Sequence, residues 1–259
     1  MRFFFGYVSH LLAFGLLLGL LVTPSSAETL RLRADLWMPY NGDPSAEHPG
    51  FAVELARAIF EPQGIKIDYQ TMPWADALDA AREGKIDGVI GAAVGTETKG
   101  LTVPQESIGE PRVVLLVRKG STFQYENIAS LKSVRLGAIE GYTYWDTLDE
   151  YIKTTTGPKL ITYKGDTPLT DALSDLKSGK IDVMPETLVV FAWAIKGMGL
   201  SPTDFHIIHT HQNEPIYVAF ASTAAGVKYA KLFDEGLKQM RASGALAKLL
   251  KGYGMNDWR

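Results

Sequence analysis

The 259-residue chain carries 26 Lys and Arg against 29 Asp and Glu, a net charge of −3, and no cysteine. That balance argues against a nucleic-acid surface, and the missing cysteine excludes disulfide staples and a lipidated cysteine anchor. With 46% hydrophobic residues, a chain of this length can bury about 70% of its unfolded surface and build a sizeable core.

Arg2 is the one charge before an apolar run from Leu11 to Val22, and Ser25-Ser26-Ala27 follows as a small-residue cleavage site. This predicts a secretory signal peptide over 1–27, removed after Ala27. A retained anchor is the alternative, but a membrane span needs about 20 apolar residues. An exported chain without cysteine suits a bacterial periplasm.

Thr29 to Ala34 alternates apolar and polar residues, the period of a strand. Asp35-Leu36-Trp37-Met38-Pro39-Tyr40 then breaks into a loop with two large aromatics, and Asn41-Gly42-Asp43-Pro44 has turn chemistry. Phe51, Leu55 and Ile59 predict a helix ending before Pro62-Gln63-Gly64, and Ile65, Ile67 and Tyr69 predict the next strand. Pro73 suits a helix start and Gly84 a helix end, so residues 74–83 are expected to be helical. Ile86 to Ile90 reads as a strand buried on both faces, leaving through Gly91-Ala92-Ala93. In open α/β sheets, that carboxyl end is where ligands bind.

Further strands are expected at Val113 to Val117, Leu131 to Ala138, Leu160 to Tyr163 and Ile216 to Ala221. Helices are expected at Tyr144 to Ile152, Leu188 to Lys196, Lys228 to Ala242 and Ala245 to Leu250. Between them the unit Asp76-Ala77-Leu78 through Gly84-Lys85-Ile86-Asp87 returns as Asp171-Ala172-Leu173 through Gly179-Lys180-Ile181-Asp182. The copies are too far apart for a solenoid, whose period is roughly 20 to 50 residues. They predict two α/β lobes, 28–110 plus 215–259 and 111–214, with crossings near Glu110-Pro111 and Asn213-Glu214-Pro215 and a ligand cleft between.

The order Trp37-Met38-Pro39-Tyr40, Gly50-Phe51-Ala52-Val53-Glu54, Pro73-Trp74, Gly84-Lys85-Ile86-Asp87, Gly95-Thr96-Glu97-Thr98-Lys99, Glu140-Gly141-Tyr142-Thr143 and the closing Met240 to Lys248 resembles the family 3 extracellular solute-binding proteins, periplasmic receptors of polar amino acid ABC importers. The resemblance covers essentially the whole chain after the leader. It implies a two-lobe, type II-like periplasmic binding protein, each lobe a mostly parallel sheet flanked by helices, monomeric, without cofactor or metal, delivering a small polar solute to an ABC permease or a membrane sensor.

The resemblance also names candidate ligand-binding residues: Trp37, Tyr40, Trp74, Ala92, Val94, Thr96, Lys99, Gly141, Tyr142, Thr143, Glu186 and Thr187. Trp37 reads either as a flat face for a ligand or as a core residue, and Trp74 more readily as core. Lys99 stands where relatives carry an arginine that forks a ligand carboxylate, so it keeps the charge but not the fork; it also reads as a solvated surface lysine. Ala92 and Val94 replace hydroxyl residues of the family. Gly141-Tyr142-Thr143 resembles a Gly-Thr turn favouring an anion, with Thr143 supplying a hydroxyl or capping the next helix. Relatives that hold an amine place an aspartate in the register of Thr187; Glu186 beside it could take the amine or cap the following helix. These departures imply a ligand other than a standard α-amino acid.

His206, His209 and His211 lack adjoining acidic or cysteine ligands, and the chain has no GxSxG, HExxH or P-loop pattern. Two rivals to transport remain: a stand-alone sensory binding protein, and a dehydratase-like enzyme on the same scaffold with Glu186 as general acid. A lytic enzyme would need a further domain beyond Arg259.

Overall fold

The computed structural model describes Met1 and residues 28–212 and 214–259; the expected signal peptide and Asn213 lie outside these. Strand β1 (Glu28–Ala34) buries Leu30, Leu32 and Ala34 completely, as its alternation predicts. Helix α1 (Phe51–Phe60), β2 (Ile65–Thr71), α2 (Trp74–Arg82), β3 (Gly88–Ala93) and β4 (Leu101–Thr102) follow. After an excursion through the second lobe, β10 (Ile216–Ala221), α6 (Ala224–Ala242) and α7 (Ala245–Gly252) return to the first. The sheet order is β2-β1-β3-β10-β4, parallel through β3 and antiparallel at β10 and β4. Helices α1, α6 and α7 cover one face and α2 the other.

The second lobe opens with β5 (Arg112–Arg118), followed by β6 (Leu136–Ile139), α3 (Asp146–Thr154), β7 (Leu160–Tyr163), α4 (Pro168–Ser178), β8 (Met184–Thr187), α5 (Leu188–Gly197) and β9 (Phe205–Gln212). β8-β5-β9 is antiparallel, β6-β7 is parallel, and the bridge Leu136 to Val183 ties the two sheets. The chain crosses twice between lobes, and the crossings are bonded to each other: Ile108 N donates to Ile216 O at 2.8 Å and Ile216 N to Gly109 O at 3.0 Å. Among the described residues no helix is long and apolar enough to cross a membrane.

Both copies of the repeat form the same turn. Gly84 and Gly179 adopt left-handed φ of 69° and 79° at the ends of α2 and α4, a conformation that costs other residues energy. Asp87 then accepts from Arg31 N, Nε and Nη2 at 2.8, 2.9 and 2.9 Å. Asp182 accepts from Arg135 N, Nε and Nη2 at 2.8, 2.9 and 2.7 Å. Each clamp fixes the turn before the repeat's strand, against β1 in the first lobe and against the start of β6 in the second.

The clamps correct the expected boundaries. Ile86-Asp87 and Ile181-Asp182 belong to the turns, so β3 and β8 begin later than their apolar runs. Leu131 to Ser133, expected to open a strand, lie instead in a 3-10 turn over Ile128–Ser133 capped by Asn127, and β6 starts at Leu136. α3 starts at Asp146, after Tyr142, Thr143 and Tyr144 have gone to the cleft. β9 is an element that the sequence pattern does not predict; its His209 and His211 pack against the rings of Tyr125 and Trp145.

Charge-assisted bonds of this kind contribute about 1.5 to 3 kcal/mol where screening is low, and the half-exposed arginines reduce that. Asp87→Ala and Asp182→Ala are each expected to lower stability by about 1 to 2 kcal/mol in urea unfolding, while Asp76→Ala, outside both clamps, changes it by less than about 0.5 kcal/mol.

Candidate ligand-binding cleft

The carboxyl ends of β1 and β3 face the β6–α3 turn and the end of β8 across the two lobes. Asp35, Trp37, Trp74, Gly91, Ala93 and Glu97 line the cleft from the first lobe, and Tyr142, Thr143, Tyr144, Glu186 and Thr187 from the second. Pro111, Val113 and Ile216, on the crossings, form its base. The cavity is about 40 Å³, room for a few waters and well below the roughly 300 Å³ or more of a small-molecule pocket.

Three sets of hydrogen bonds hold them together. The Tyr142 hydroxyl donates to Asp35 Oδ2. Trp37 Nε1 donates to Glu186 Oε1 at 3.2 Å. Thr143 N and Oγ1 both donate to Glu97 Oε1 at 2.9 Å, and Ala93 N donates to Glu97 Oε2 at 2.8 Å. Nearby, the backbone of Gly141 lies against α2: a Cβ there would stand 3.1 Å from Ala75 Cβ, at a left-handed φ of 81°.

The lining contains three acids and no Lys, Arg or His. Burial disfavours the charged form of each. It raises Asp35 to about 6, against the bond from Tyr142. It raises Glu97 to about 7, against the donors from Ala93, Thr143 and Trp74. Glu186 rises to about 8, with bonds from Thr187 and Trp37 opposing and Asp35 adding to the shift. Among the described residues no three His, Cys, Asp or Glu side chains are placed to hold a metal ion.

Residues 34–256 match the model of the bacterial extracellular solute-binding proteins, family 3. The chain belongs to that family. The probable amino-acid-binding protein YxeM of Bacillus subtilis (strain 168) is 24% identical over 214 residues, 80% of this chain and 76% of that protein. A solved ancestral arginine-binding protein bound to glutamine shares the fold with TM-score 0.72 and 21% identity, over 88% of this chain and 99% of that one. A histidine kinase sensor domain with similarity to periplasmic binding proteins matches with TM-score 0.70 and 20% identity, over 87% of this chain and 95% of that one.

Against the family pattern, the structure brings Trp37, Trp74, Tyr142, Thr143, Glu186 and Thr187 together at the cleft. Six expected residues do not line it. Tyr40 is 2% exposed and lies behind Trp37, stacked on it at 4.5 Å between centroids. Ala92 faces the α2 side of the sheet, in the cluster with Ala77 and Leu78. Strand alternation puts Gly91 and Ala93, the neighbours of Ala92, on the cleft side instead. Val94 and Thr96 line an adjoining groove that shares Ala93, Thr143 and Tyr144 with the cleft and runs on beside Asp146 and His211. Lys99 is exposed outside the lining, its carbonyl held by Arg82 Nε. Gly141 stands at the lobe contact with Ala75. Glu186 takes the N–H of Thr187 at 2.6 Å, while the N-cap of α5 is Thr187 with no side-chain bond. Thr143 bonds Glu97 and does not cap α3, whose N-cap is Trp145.

Sequence reading passed over Asp35 and Glu97. Their signal was present: an acid directly at the carboxyl end of β1, and one in the loop after β3, both positions aimed at a cleft.

The three raised acids bind protons in the folded chain that the unfolded chain, with carboxyls near 4.5 or below, has released. Stability of the protein is therefore expected to rise as pH falls from 8 to about 5, by up to about 1.4 kcal/mol per pH unit for each proton. Melting temperature measured from pH 5 to 8 checks this. Glu186→Gln should flatten the upper part of the slope.

Proposed function

We propose that this protein is a periplasmic solute-binding protein that captures a small polar solute between its lobes and presents the closed form to an ABC permease. The observation that carries the reading is a cleft lined from both halves, at strand carboxyl ends, beside two crossings bonded to each other. In this reading 28–110 and 215–259 form one lobe and 111–214 the other, following the export leader 1–27. The crossings at Glu110-Pro111 and around Glu214-Pro215 absorb the hinge motion. Contacts made to both lobes at once favour closure by their differential affinity, and no bond of the solute breaks.

The protein works as a monomer. Trp37, Trp74, Tyr142, Thr143, Glu186 and Thr187 are its solute contacts, joined by Asp35 and Glu97, while Tyr40 and Gly141 support them. A relative named as amino-acid-binding and a structural neighbour bound to glutamine support a small nitrogenous solute. The sensor-domain neighbour favours a second reading, in which the closed form signals to a membrane kinase; both readings require the same capture.

A thermal-shift screen with amino acids, amines, organic acids and sugars tests capture. A solute at 100 times its Kd stabilises by about 2.7 kcal/mol, a rise of roughly 5 to 10 °C for a chain of this size. The shift is expected to vanish in Trp37→Ala. In Gly141→Ala, where a methyl group meets the Ala75 backbone and strains the turn, the Kd should rise tenfold or more. A folded protein that shifts with no solute overturns the reading.

A further inference from the structure

Six of the donors that face the cleft go to carboxylates of the protein itself. Thr143 N and Oγ1 and Ala93 N go to Glu97, Thr187 N and Trp37 Nε1 to Glu186, and the Tyr142 hydroxyl to Asp35. The acceptors are not all committed. Among the described residues, two buried side-chain atoms lack a hydrogen-bond partner, Glu186 Oε2 and Asn41 Oδ1, and both are oxygens. Glu186 is 1% exposed and lines the cleft. Asn41 is fully buried directly behind it, its Oδ1 3.9 Å from where a Cβ on the lining residue Gly91 would stand. Its Nδ2 donates to Asp35 O at 2.7 Å, which settles which end of the amide is oxygen.

Asn41 Oδ1 is an unpartnered acceptor at any pH, and Glu186 Oε2 becomes one when Glu186 ionises, so the cleft gains by admitting a donor that brings a positive charge. Around those oxygens stand the rings of Trp37, Trp74 and Tyr142, whose faces attract cations. A carboxylate would meet the opposite conditions. The cleft offers it no cationic side chain, and the N–H groups that could receive it already hold Glu97. Lys99, the residue in sequence position to neutralise it, lies outside the lining.

We propose that the solute is a small organic cation, an amine or guanidinium whose carbon skeleton bears no carboxylate, held by Glu186 and the aromatic walls while Glu97 occupies the place of a ligand anion. This rests on the capture reading above and names its solute class. The cation's N–H groups donate to Glu186 Oε2, and opening by a few ångströms gives them access to Asp35. The titratable neighbours facing Glu186 are Asp35, Tyr142 and Tyr144, none of them cationic. Glu186, held protonated up to about 8, gives up its proton when the cation binds. Affinity therefore climbs with pH between 6 and 8, by as much as tenfold per unit for one proton released.

Isothermal titration with matched pairs tests the proposal: agmatine against arginine, putrescine against ornithine and histamine against histidine. Each pair differs in the α-carboxylate alone. At least one amine is expected to bind tenfold or more tightly than its parent, and more tightly at pH 8 than at pH 6. Glu186→Gln, nearly isosteric, should weaken that amine tenfold or more with its circular dichroism unchanged. A parent amino acid that binds as well as its amine, or a Glu186→Gln protein of unaltered affinity, overturns the proposal. The pair comparison needs no variant and stands if Glu186→Gln fails to fold. If none of the six binds and the solute that shifts the melting temperature in the screen is an amino acid, an organic acid or a sugar, the cation proposal falls and capture stands. If no solute of any class binds, both fall.

Discussion

Glu97 gives the closed arrangement its logic. A carboxyl taken out of water needs donors, and the cost of leaving it without them is several kcal/mol. Here the donors come from both lobes: Ala93 N from the end of β3, and Thr143 N and Oγ1 from the turn before α3. Closing the cleft and satisfying Glu97 are the same event. Were the lobes to part, as the capture reading requires, water would take over the Thr143 donors and the freed oxygen, so neither arrangement would leave the group orphaned.

The same rule explains how much of the fold was readable in the residues. The repeat was legible because its turn has a strict chemical requirement, a glycine at left-handed φ followed by an acid. The structure shows why the acid matters: Asp87 takes three donors from Arg31 within β1, and Asp182 three from Arg135 just before β6. Those bonds are long-range, so a local reading assigned Ile86-Asp87 to the strand. Helix α1 is legible in its apolar spacing, with Pro62 marking its end to within a residue or two. β9 is not, because its burial alternates weakly and its place is set by pairing with β5, which no local pattern encodes.

The site was readable by region and misread by register. Positions carried over at Ala92 and Val94 fell one residue off the cleft side, since a strand's facing residues have period two and a one-residue offset inverts the face. The positive φ of Gly91 and the register shift there, where β3 carries one extra residue opposite Tyr217 and Val218 of β10, mark where the ladder departs from regularity. Lys99 was weighed for its charge, yet charge acts through position. Arg82 holds the carbonyls of Thr96, Glu97 and Lys99, and that tether turns Glu97 inward while Lys99 remains exposed.

Three buried acids in one small cleft lower stability at neutral pH, where hydrophobic residues of like volume would not. Their retention is intelligible if the opposing charge arrives with the solute. A cation would restore the ionised carboxylates without widening the cleft by more than its own volume, and its affinity would be drawn from strain already present in the closed form. Stability given up in the free protein would return as selectivity, because a neutral or anionic solute of the same shape cannot relieve it. Binding and closure would then share one electrostatic cause. The aromatic walls set the size of what fits, and the acids set its charge.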